Sequence, residues 1–333
     1  MAGPIPVSQF MGAANAEYYA RNSVIGAAGD FITAPEISQM FGELIGAWCA
    51  DMWDRAGRPE VAFVELGPGH GTLAADALRV MAKAGLSPAV HFVETSPRLR
   101  AQQAERVPDA VWHGDLTTLP DNVPLLVVAN EFFDALPIEQ LMRRGEGWVR
   151  RLVACQDTLF LPIAGSPVPD DVVPEHLRDA APGSIIESSP ASVAAMRTIA
   201  GHLATQGGAA LIVDYGYDGP MVGDTLQAVR SHGFANPFDR PGEVDLSAHV
   251  DFGVLGVAAM TAGATVHGPT PQRDFLGQLG IAARAATLAR GAPHRVEDIT
   301  DAHQRLTSPD EMGTLFRAMA LTGGGWPVPG GFA

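Results

Sequence analysis

The chain has 333 residues, of which 47% are hydrophobic and 18% charged, values typical of a globular protein that buries a substantial core. This length accommodates one large α/β domain with insertions or two smaller domains. A formal net charge of −15 argues against DNA or RNA as a partner, because phosphate backbones would be repelled, and favours a basic protein or a small molecule.

The sequence shows no pattern of a membrane span or a signal peptide and has few cysteines, which together predict a location in the cytoplasm. No apolar run reaches the ~18 residues that a membrane span needs, and residues 1–10 lack the charged and apolar regions of a signal peptide. Cys49 and Cys155 are too few and too far apart in sequence for a disulfide framework. We therefore expect two free core thiols in a reducing compartment.

The first strongly patterned segment is an amphipathic helix that begins near residue 33. Its apolar positions recur at three- and four-residue steps: Ile37, Met40, Phe41, Leu44, Ile45 and Trp48. Pro35 suits the start of this helix, Thr33 is a candidate cap, and Glu36 lies in the first turn. Core packing explains the apolar stripe, whereas the polar start at residues 29–38 is a candidate ligand contact.

Residues 61–73, with the sequence VAFVELGPGHGTL, predict a buried strand, a tight turn and the start of a helix. Gly67, Gly69 and Gly71 lack the Cβ atom that would hold a ligand away from the backbone. The helix that begins here offers unpaired N–H groups at its N-terminus. Glu65 precedes these glycines and Pro68 lies between the first two, and we expect all five residues to contact a cofactor.

The spacing of the glycines helps to separate two cofactor classes. Dinucleotide sites favour G-x-G-x-x-G/A, but Thr72 occupies the third small position and the third glycine comes one residue early. The form E-x-G-x-G-x-G is instead similar to motif I of class I S-adenosylmethionine-dependent methyltransferases. A dehydrogenase is therefore disfavoured, and a glycine-rich turn without any ligand is the structural alternative.

Two further strands end in polar residues. The strand at residues 90–94 ends in Glu94 and Thr95, at about the interval from the glycine loop where nucleotide-binding folds place an acid on the ribose hydroxyls. A short strand at residues 110–113 leads to Asp115 and Leu116. Asp115 is a candidate acceptor for the adenine amine, and an ordinary turn aspartate is nearly as good an interpretation.

The most apolar strand, residues 124–129, runs directly into Asn130, Glu131 and, after two phenylalanines, Asp134. Ligands of open α/β sheets lie beyond the carboxyl ends of the strands, so we expect these groups at the reaction site. Two acids and an amide among phenylalanines would pack poorly unless they served a function.

The second half of the chain alternates β-rich and helical segments. Residues 140–164 predict an inserted antiparallel hairpin or meander. The elements expected after it are a strand at 184–188, a helix at 191–205, a fifth central strand at 209–214, a helix at 248–262, a strand at 265–267, helices within 275–290 and 299–306, a last strand at 314–320 and a flexible glycine-rich tail.

Residues 231–244 form a turn-rich segment longer than usual connections, which suggests a lid or substrate loop. His249 and Asp251 follow it and are candidate site residues, although a helix-face histidine without a role is an equal alternative for His249. No cluster of histidine and cysteine has metal-ligand spacing, so we expect no metal ion.

Together these motifs resemble the MidA-like family of class I S-adenosylmethionine-dependent methyltransferases, which is related to the mitochondrial arginine methyltransferase that acts as a complex I assembly factor. The resemblance rests on GDFITAPEISQMFGELIGAW at 29–48, VELGPGHGTL at 64–73, HFVETSP at 91–97, ANEFFDALP at 129–137, DYGY at 214–217 and, less strictly, DLSAHVDF at 245–252. It implies a doubly wound, Rossmann-like α/β fold with a seven-stranded methyltransferase sheet. The implied domains are an N-terminal helical arm at 1–60, a methyltransferase core at 61–139 and 207–322, and an inserted β-rich and helical subdomain at 140–206.

The resemblance also implies methyl transfer from S-adenosyl-L-methionine to an arginine of a protein substrate, the family target being the large quinone-site subunit of respiratory complex I. Bacterial members would act in the cytoplasm and eukaryotic relatives in mitochondria. For this chemistry we expect Glu131 and Asp134 to grip the guanidinium, Asn130 to orient the cofactor or the guanidino group, and His249 to relay a proton.

Two alternatives stay open at this point. The same acids suit a primary amine, so the chain is also compatible with a small-molecule methyltransferase. A non-catalytic complex I assembly factor that binds a partner without turnover is the second. The oligomeric state and the number of methyl groups added are not predicted by the sequence.

Overall fold

A computed structural model describes residues 3–21, 33–230 and 233–332. Contacts within the chain divide it into two compact units. The central-sheet unit comprises residues 32–132, 195–216 and 256–333, and the small-sheet unit comprises residues 1–31, 133–194 and 217–255. Residues 29–32 of the first motif and 231–232 of the expected lid lie outside the described residues.

The described residues form eleven α-helices, four short 3₁₀ helices and sixteen strands. The helices are α1 Val7–Arg21, α2 Ala34–Ile37, α3 Gln39–Arg55, α4 Thr72–Lys83, α5 Pro97–Arg106, α6 Pro190–Gln206, α7 Phe252–Thr261, α8 Gln272–Gln278, α9 Ile281–Gly291, α10 Val296–Thr307 and α11 Met312–Leu315. The strands are β1 Ile5–Pro6, β2 Ala62–Leu66, β3 Ala89–Val93, β4 Val111–His113, β5 Leu125–Asn130, β6 Glu139–Arg144, β7 Gly147–Gln156, β8 Leu159–Val168, β9 Ile185–Ser188, β10 Gly208–Tyr217, β11 Gln227–Arg230, β12 Gly233–Ala235, β13 Asp245–Ser247, β14 Val250–Asp251, β15 Thr265–Pro271 and β16 Phe316–Thr322.

A mixed sheet of order β15-β16-β10-β5-β2-β3-β4 organises the central-sheet unit. Strands β10, β5, β2, β3 and β4 run parallel to one another, β16 pairs antiparallel with β10, and β15 pairs antiparallel with β16 and so runs in the direction of the parallel strands. All residues of β2 and β5 are buried, which explains why these strands are apolar except for Glu65 and Asn130 near their carboxyl ends. Leu66 pairs with Ala129 and Val213 with Asn130, so the carboxyl ends of β2, β5 and β10 are adjacent. The sheet has eight strands in all, and the predicted doubly wound, seven-stranded methyltransferase order is confirmed in these seven.

Helix α3 packs closely against α4, the helix that follows the glycine loop. A Cβ atom on Gly46 of α3 would collide with the backbone of Ala77 on α4, so only glycine permits this approach. Phe41, Ile45 and Trp48 of α3 are buried in the main core of this unit. The close packing of α3 against α4 therefore fixes the position of α4, whose N-terminus follows the glycine loop.

The helix predicted from about residue 33 is two helices. Helix α2 ends at Ile37, Ser38 is extended with φ −162°, and the Ser38 hydroxyl accepts a hydrogen bond of 3.2 Å from the Met40 N–H at the start of α3. Thr33 lies at the N-cap position of α2, as predicted, and its carbonyl accepts hydrogen bonds from the Glu36 N–H at 2.9 Å and the Ile37 N–H at 3.2 Å, although its side chain makes no capping hydrogen bond. A serine in a helical pattern can equally cap a new helix, which apolar periodicity does not reveal.

The C-terminal tail is packed, although the sequence predicted a flexible end. Trp48 Nε1 donates a hydrogen bond of 3.2 Å to the Gly330 carbonyl, and the rings of Phe332 and Phe275 lie 5.2 Å apart between centroids. Trp326 also packs against the core. The glycines and prolines of the tail suggested mobility, but the aromatic residues among them supply the apolar area that anchors it.

The segment around residue 248 also differs from prediction. Strand β13 ends at Ser247, β14 begins at Val250, and α7 begins at Phe252, so His249 does not lie on a helix face. The expected lid contains β12, which pairs with β11 in a three-stranded sheet of order β12-β11-β13. Cys49 is buried as predicted, whereas Cys155 is exposed and is not a core thiol.

The small-sheet unit contains the predicted antiparallel meander. Strands β6, β7 and β8 pair in sequence, β9 pairs with β6, and β1 pairs with β7. Helix α1 contributes Val7, Phe10 and Met11 to a buried cluster with Leu226 and Leu246. The described part of the chain contains no helix with the length and apolarity to cross a membrane.

A buried carboxylate links three helices of the central-sheet unit. Glu43 of α3 is 4% exposed and accepts hydrogen bonds from Arg284 Nε of α9 at 2.6 Å and from Arg79 Nη1 of α4 at 2.8 Å. Burial alone would raise the pKa of Glu43, but the two arginines outweigh burial and lower it. Glu43 is therefore an ionised anchor between α3, α4 and α9.

Replacing Glu43 with Gln should lower the free energy of unfolding by about 1–3 kcal/mol at pH 7, because both arginines lose a charged acceptor. The folded-state pKa lies below the ordinary value of 4.5, so this stabilisation is present above pH 4.5 and is lost as the pH falls through the folded-state pKa. Urea unfolding of both proteins from acid to neutral pH checks this. A difference that is independent of pH would contradict it.

Candidate functional site

The glycine loop turns sharply between β2 and α4. Gly67, Gly69 and Gly71 have φ values of 60°, 53° and 78°, the left-handed region that favours glycine. The Gly67 N–H donates to the Val93 carbonyl at 3.0 Å, and the Gly71 N–H donates to Pro68 at 2.7 Å. The loop therefore has a fixed backbone without side chains at its turning points, next to the N-terminus of α4.

Gln103 positions two parts of the candidate site and was not among the residues predicted from the sequence. Its side chain is fully buried on α5, where Nε2 donates to the Gly69 carbonyl at 2.8 Å and to Glu94 Oε2 at 3.3 Å. Its Oε1 accepts from Trp112 Nε1 at 2.8 Å. One amide thus ties the glycine loop to the acid at the end of β3. The available signal was its i, i+4 relation to buried Leu99, which places Gln103 on the inward face of a polar helix.

Glu94 lies at the end of β3 and is buried. Its Oε1 accepts a hydrogen bond of 2.7 Å from the Ser96 N–H. Burial raises the pKa of Glu94 above its ordinary value, although the Ser96 N–H and the Gln103 amide oppose this. A carboxylate has about four lone-pair positions, so Glu94 retains acceptor capacity for ribose hydroxyls. The neighbouring Thr95 is exposed.

Asp115 and Leu116 follow β4 at the next strand end. Asp115 is exposed and accepts a hydrogen bond of 2.8 Å from the Thr117 N–H, so it caps the short helical turn that Leu116 begins. The Thr117 hydroxyl and N–H lower the pKa of Asp115. Arg100 joins the two strand ends, since Nε donates to the Glu94 carbonyl at 2.8 Å and Nη2 to the His113 carbonyl at 3.0 Å.

Two buried polar side chains lie at the ends of β2 and β5. Glu65 is 3% exposed and Asn130 is 8% exposed. Within the described part of the chain, neither Glu65 Oε2 nor Asn130 Oδ1 has a hydrogen-bond partner. Burial raises the pKa of Glu65 to about 8, despite an opposing hydrogen bond from the Ala74 backbone. Buried acceptors without partners are costly, so these two atoms indicate a ligand that donates hydrogen bonds.

Glu131 connects the end of β5 to α2. Its Oε1 accepts hydrogen bonds from the Ala34 N–H at 3.1 Å and from Asn130 Nδ2 at 3.0 Å. Glu131 has φ 50°, which is uncommon for a residue other than glycine and recurs at functional sites. The predicted catalytic acid thus also fixes the start of the segment that contains Thr33 and Pro35.

Glu36 joins the same segment to the glycine loop. Its Oε1 accepts a hydrogen bond of 2.6 Å from the Thr72 hydroxyl and lies 3.7 Å from His70 Nδ1. Thr72, whose position argued against a dinucleotide site, therefore has a direct structural partner in α2. Residues 33–37, the glycine loop and the end of β5 are brought together in the central-sheet unit.

Asp134 and His249 belong to the small-sheet unit. Asp134 is buried, and its carbonyl accepts a hydrogen bond of 3.0 Å from the Ala248 N–H, which places Asp134 next to the segment that carries His249. The His249 N–H donates to Thr225 Oγ1 at 2.9 Å. Burial lowers the pKa of His249, so its imidazole is neutral at pH 7.

This sheet and glycine loop define the class as S-adenosyl-L-methionine-dependent methyltransferase. Residues 44–270 match the family described as "Putative S-adenosyl-L-methionine-dependent methyltransferase". The protein arginine methyltransferase NDUFAF7 of Xenopus laevis is 34% identical, with 96% of this chain and 81% of that protein covered. Its Drosophila melanogaster homolog is 36% identical, with 96% and 82% covered. Both relatives are named mitochondrial.

A solved structure agrees with these relatives. A crystal structure of a superfamily member from Burkholderia thailandensis, bound to S-adenosyl-homocysteine, is similar with a TM-score of 0.88 and 29% identity, and covers 99% of this chain and 90% of that one. The chain belongs to the S-adenosyl-L-methionine-dependent methyltransferase family in which these relatives fall. The cofactor expected from the glycine loop is confirmed.

Gly67→Ala should weaken S-adenosyl-homocysteine binding at least tenfold, because the added Cβ atom would keep a ligand away from the loop backbone. The same Cβ atom would also lie 3.2 Å from the Phe132 ring. Gly145→Ala is a matched control, since Gly145 has the same φ of 60° with nothing within 4 Å. Both variants carry the conformational cost of alanine at positive φ, about 1 kcal/mol. Titration calorimetry that finds equal affinity for both variants would refute the role of Gly67.

Glu65→Gln should change stability in a pH-dependent way. The folded-state pKa of about 8 exceeds the ordinary value of 4.5, so the folded wild type holds an extra proton between these pH values and loses stability as the pH rises through them. The variant avoids this loss, and should match the wild type in acid and exceed it above pH 8 by a few kcal/mol. Denaturant unfolding across this pH range checks the difference. Equal stability at high pH would show that Glu65 is not strained by burial.

Proposed function

We propose that this protein transfers a methyl group from S-adenosyl-L-methionine to a guanidino nitrogen of an arginine in a protein substrate. The observation that carries the proposal is 34–36% identity, over 96% of the chain, to relatives named protein arginine methyltransferases. Their coverage of the chain includes the segments that hold the glycine loop and the end of β5. The half-buried Glu131 at the end of β5 and the buried Asp134 three residues later suit a cationic substrate side chain.

The proposed cofactor contacts follow from the site geometry. The backbone of the glycine loop, including Pro68, would hold the amino-acid part of the cofactor, with Glu65 and Asn130 accepting hydrogen bonds from its ammonium group. Glu94 would accept from the ribose hydroxyls. Thr95, Asp115 and Leu116 would lie at the adenine, and Thr33, Pro35 and Glu36 would cover the loop from the α2 side.

The proposed chemistry at the substrate is proton handling and positioning. Bound S-adenosyl-L-methionine supplies an electrophilic methyl group. A guanidinium has a pKa of about 12.5 or above, so it has no available lone pair at neutral pH. Glu131 and Asp134 would concentrate positive charge on one nitrogen and accept the proton that leaves it, and Asn130 would orient the group. His249, neutral at pH 7, is a candidate to take the proton onward.

The proposed target and compartment follow the family resemblance. We propose the large quinone-site subunit of respiratory complex I as the substrate protein and the bacterial cytoplasm as the compartment. Two unpaired cysteines, Cys49 and Cys155, are compatible with a reducing environment.

Labelling of a cell lysate tests this function against its alternatives. The lysate of a strain that lacks the gene is incubated with the purified protein and S-adenosylmethionine labelled on the methyl group. Label should enter a protein of the size of the complex I large subunit and be recovered as methylarginine after acid hydrolysis. Label confined to small molecules would establish the small-molecule alternative, and no transfer at all would favour a binding factor.

Glu131→Gln should lower the methyl-transfer rate by roughly 100-fold or more, because the neutral amide cannot accept the substrate proton. The amide oxygen still accepts the Ala34 N–H, so S-adenosyl-homocysteine affinity should stay within about twofold. Glu105→Gln is the control, since Glu105 is an exposed acid on α5. Full turnover by Glu131→Gln would remove Glu131 from the mechanism.

A further inference from the structure

The small-sheet unit has a pocket of its own. It encloses about 30 Å³ and is lined by Phe133, by Glu187 at the end of β9, by Tyr217 and by the segment that contains His249 and Asp251. This volume holds about two water molecules, so it suits one slim side-chain end and not a nucleobase. Phe133 follows Glu131 and Phe132 directly in sequence.

The pocket carries negative charge. Glu187 and Asp251 contribute carboxylates, and no lysine or arginine is among the described residues that line it. Burial lowers the pKa of His249, so the imidazole supplies no positive charge at pH 7. Burial also raises the pKa of both carboxyl groups, which is expected where anions lose water without gaining a cation.

The two carboxylates differ in their free acceptor capacity. Glu187 accepts hydrogen bonds from Gln140 Nε2 at 2.6 Å, from the Thr225 N–H at 3.1 Å and from the Leu226 N–H at 3.2 Å, and it also pairs with the Thr225 hydroxyl. These partners fix its position and occupy its lone pairs. Glu187 therefore contributes charge to the pocket, while direct contact with a guest is left to Asp251.

Asp251 and Tyr217 are the pocket groups that can form hydrogen bonds with a bound ligand. Asp251 Oδ1 accepts from the Gly219 N–H at 3.2 Å and from the Val254 N–H at 2.9 Å, and no side chain in the described part of the chain bonds to this carboxylate. The Tyr217 hydroxyl has no hydrogen bond to any described residue. Burial and the nearby charges of Asp251 and Glu187 raise its pKa, so it stays a neutral phenol. A carboxylate and a phenol oxygen are both hydrogen-bond acceptors, so together they favour a ligand with several N–H donors.

We propose that this pocket binds the guanidinium group of a substrate arginine, a proposal that rests on the proposed function. The planar group has five N–H donors, so Asp251 and Tyr217 can accept from some of them while the nitrogen to be methylated is left to Glu131 and Asp134, and its face can stack on the ring of Phe133. Its charge would balance the two buried carboxylates. The neutral analogue citrulline has nearly the same shape but lacks the charge, so the pocket should reject it.

Peptide binding tests the pocket without turnover. The peptide Gly-Gly-Arg-Gly-Gly and its citrulline counterpart are titrated into the full-length protein saturated with S-adenosyl-homocysteine, by calorimetry and ligand-observed NMR. The wild type should bind the arginine peptide at least tenfold more tightly than the citrulline peptide. Asp251→Asn and Tyr217→Phe should each lose at least fivefold in arginine affinity. S-adenosyl-homocysteine affinity should not change.

The variants are chosen so that folding is preserved. Asparagine keeps the side-chain oxygen that caps α7, and phenylalanine keeps the ring of Tyr217, while Asp171→Asn is a matched control at an exposed aspartate of the same unit. Equal affinity for arginine and citrulline, no detectable arginine binding, or full arginine affinity in both pocket variants would overturn the proposal.

The two proposals fail in distinguishable ways. Methylarginine in the labelled lysate together with unaltered peptide binding by Asp251→Asn and Tyr217→Phe would overturn the pocket and leave the function standing. Arginine binding that depends on Asp251 and Tyr217, with no methylarginine formed, would support the pocket and refute the function.

Discussion

The chain reversal between β2 and α4 is the constraint on which the cofactor site depends. Three glycines at alternate positions all adopt positive φ, so the backbone passes from a buried strand to a helix N-terminus within five residues. Other residues would add a strained conformation and a Cβ atom at each turn. Because Gly67 and Gly69 are hydrogen-bonded to Val93 and Gln103, the loop is fixed by the fold itself, and little conformational entropy remains to be lost on binding.

Hydrogen bonds of three polar side chains connect this loop and the neighbouring strand ends, with Gln103 buried and Arg100 and Glu131 half-buried. Gln103 joins the glycine loop to Glu94, and Arg100 joins the ends of β3 and β4. Glu131 does the same for α2 through the Ala34 N–H, and its positive φ is stabilised by a hydrogen bond of 2.9 Å from its own N–H to Val213. Glu131 thus combines its proposed role in substrate chemistry with a structural contact to residues 33–37. The neutral isostere glutamine removes the charge but keeps an oxygen for the contact.

The sequence predicted what is local and periodic. Apolar runs predicted strands β2 and β5, and the strand-end rule placed the glycine loop, Glu94 and Asn130 at the carboxyl ends of neighbouring strands, where the structure has them. It did not predict partners distant in sequence: Gln103 bonds Gly69 across 34 positions, and Glu131 bonds Ala34 across 97. The break between α2 and α3 at Ser38 was not predicted for another reason, because a serine hydroxyl can lie within a helix or cap the next one. The packing of the C-terminal tail was not predicted because Trp326 and Phe332 lie among glycines and prolines, which suggest a flexible segment.

The proposed substrate would be attracted by the net negative charge of the whole protein and selected by direct contacts in the proposed pocket. The net charge of −15 raises the local concentration of basic segments, but salt screens it within about 8 Å, and it treats lysine and arginine alike. A choice between them requires contacts that depend on shape, because an ammonium is a compact point charge and a guanidinium is a flat array of donors. In the proposed pocket that choice falls to one carboxylate, one phenol and the ring of Phe133. Discrimination would then depend on a few atoms of the small-sheet unit, whereas attraction is a property of the whole surface.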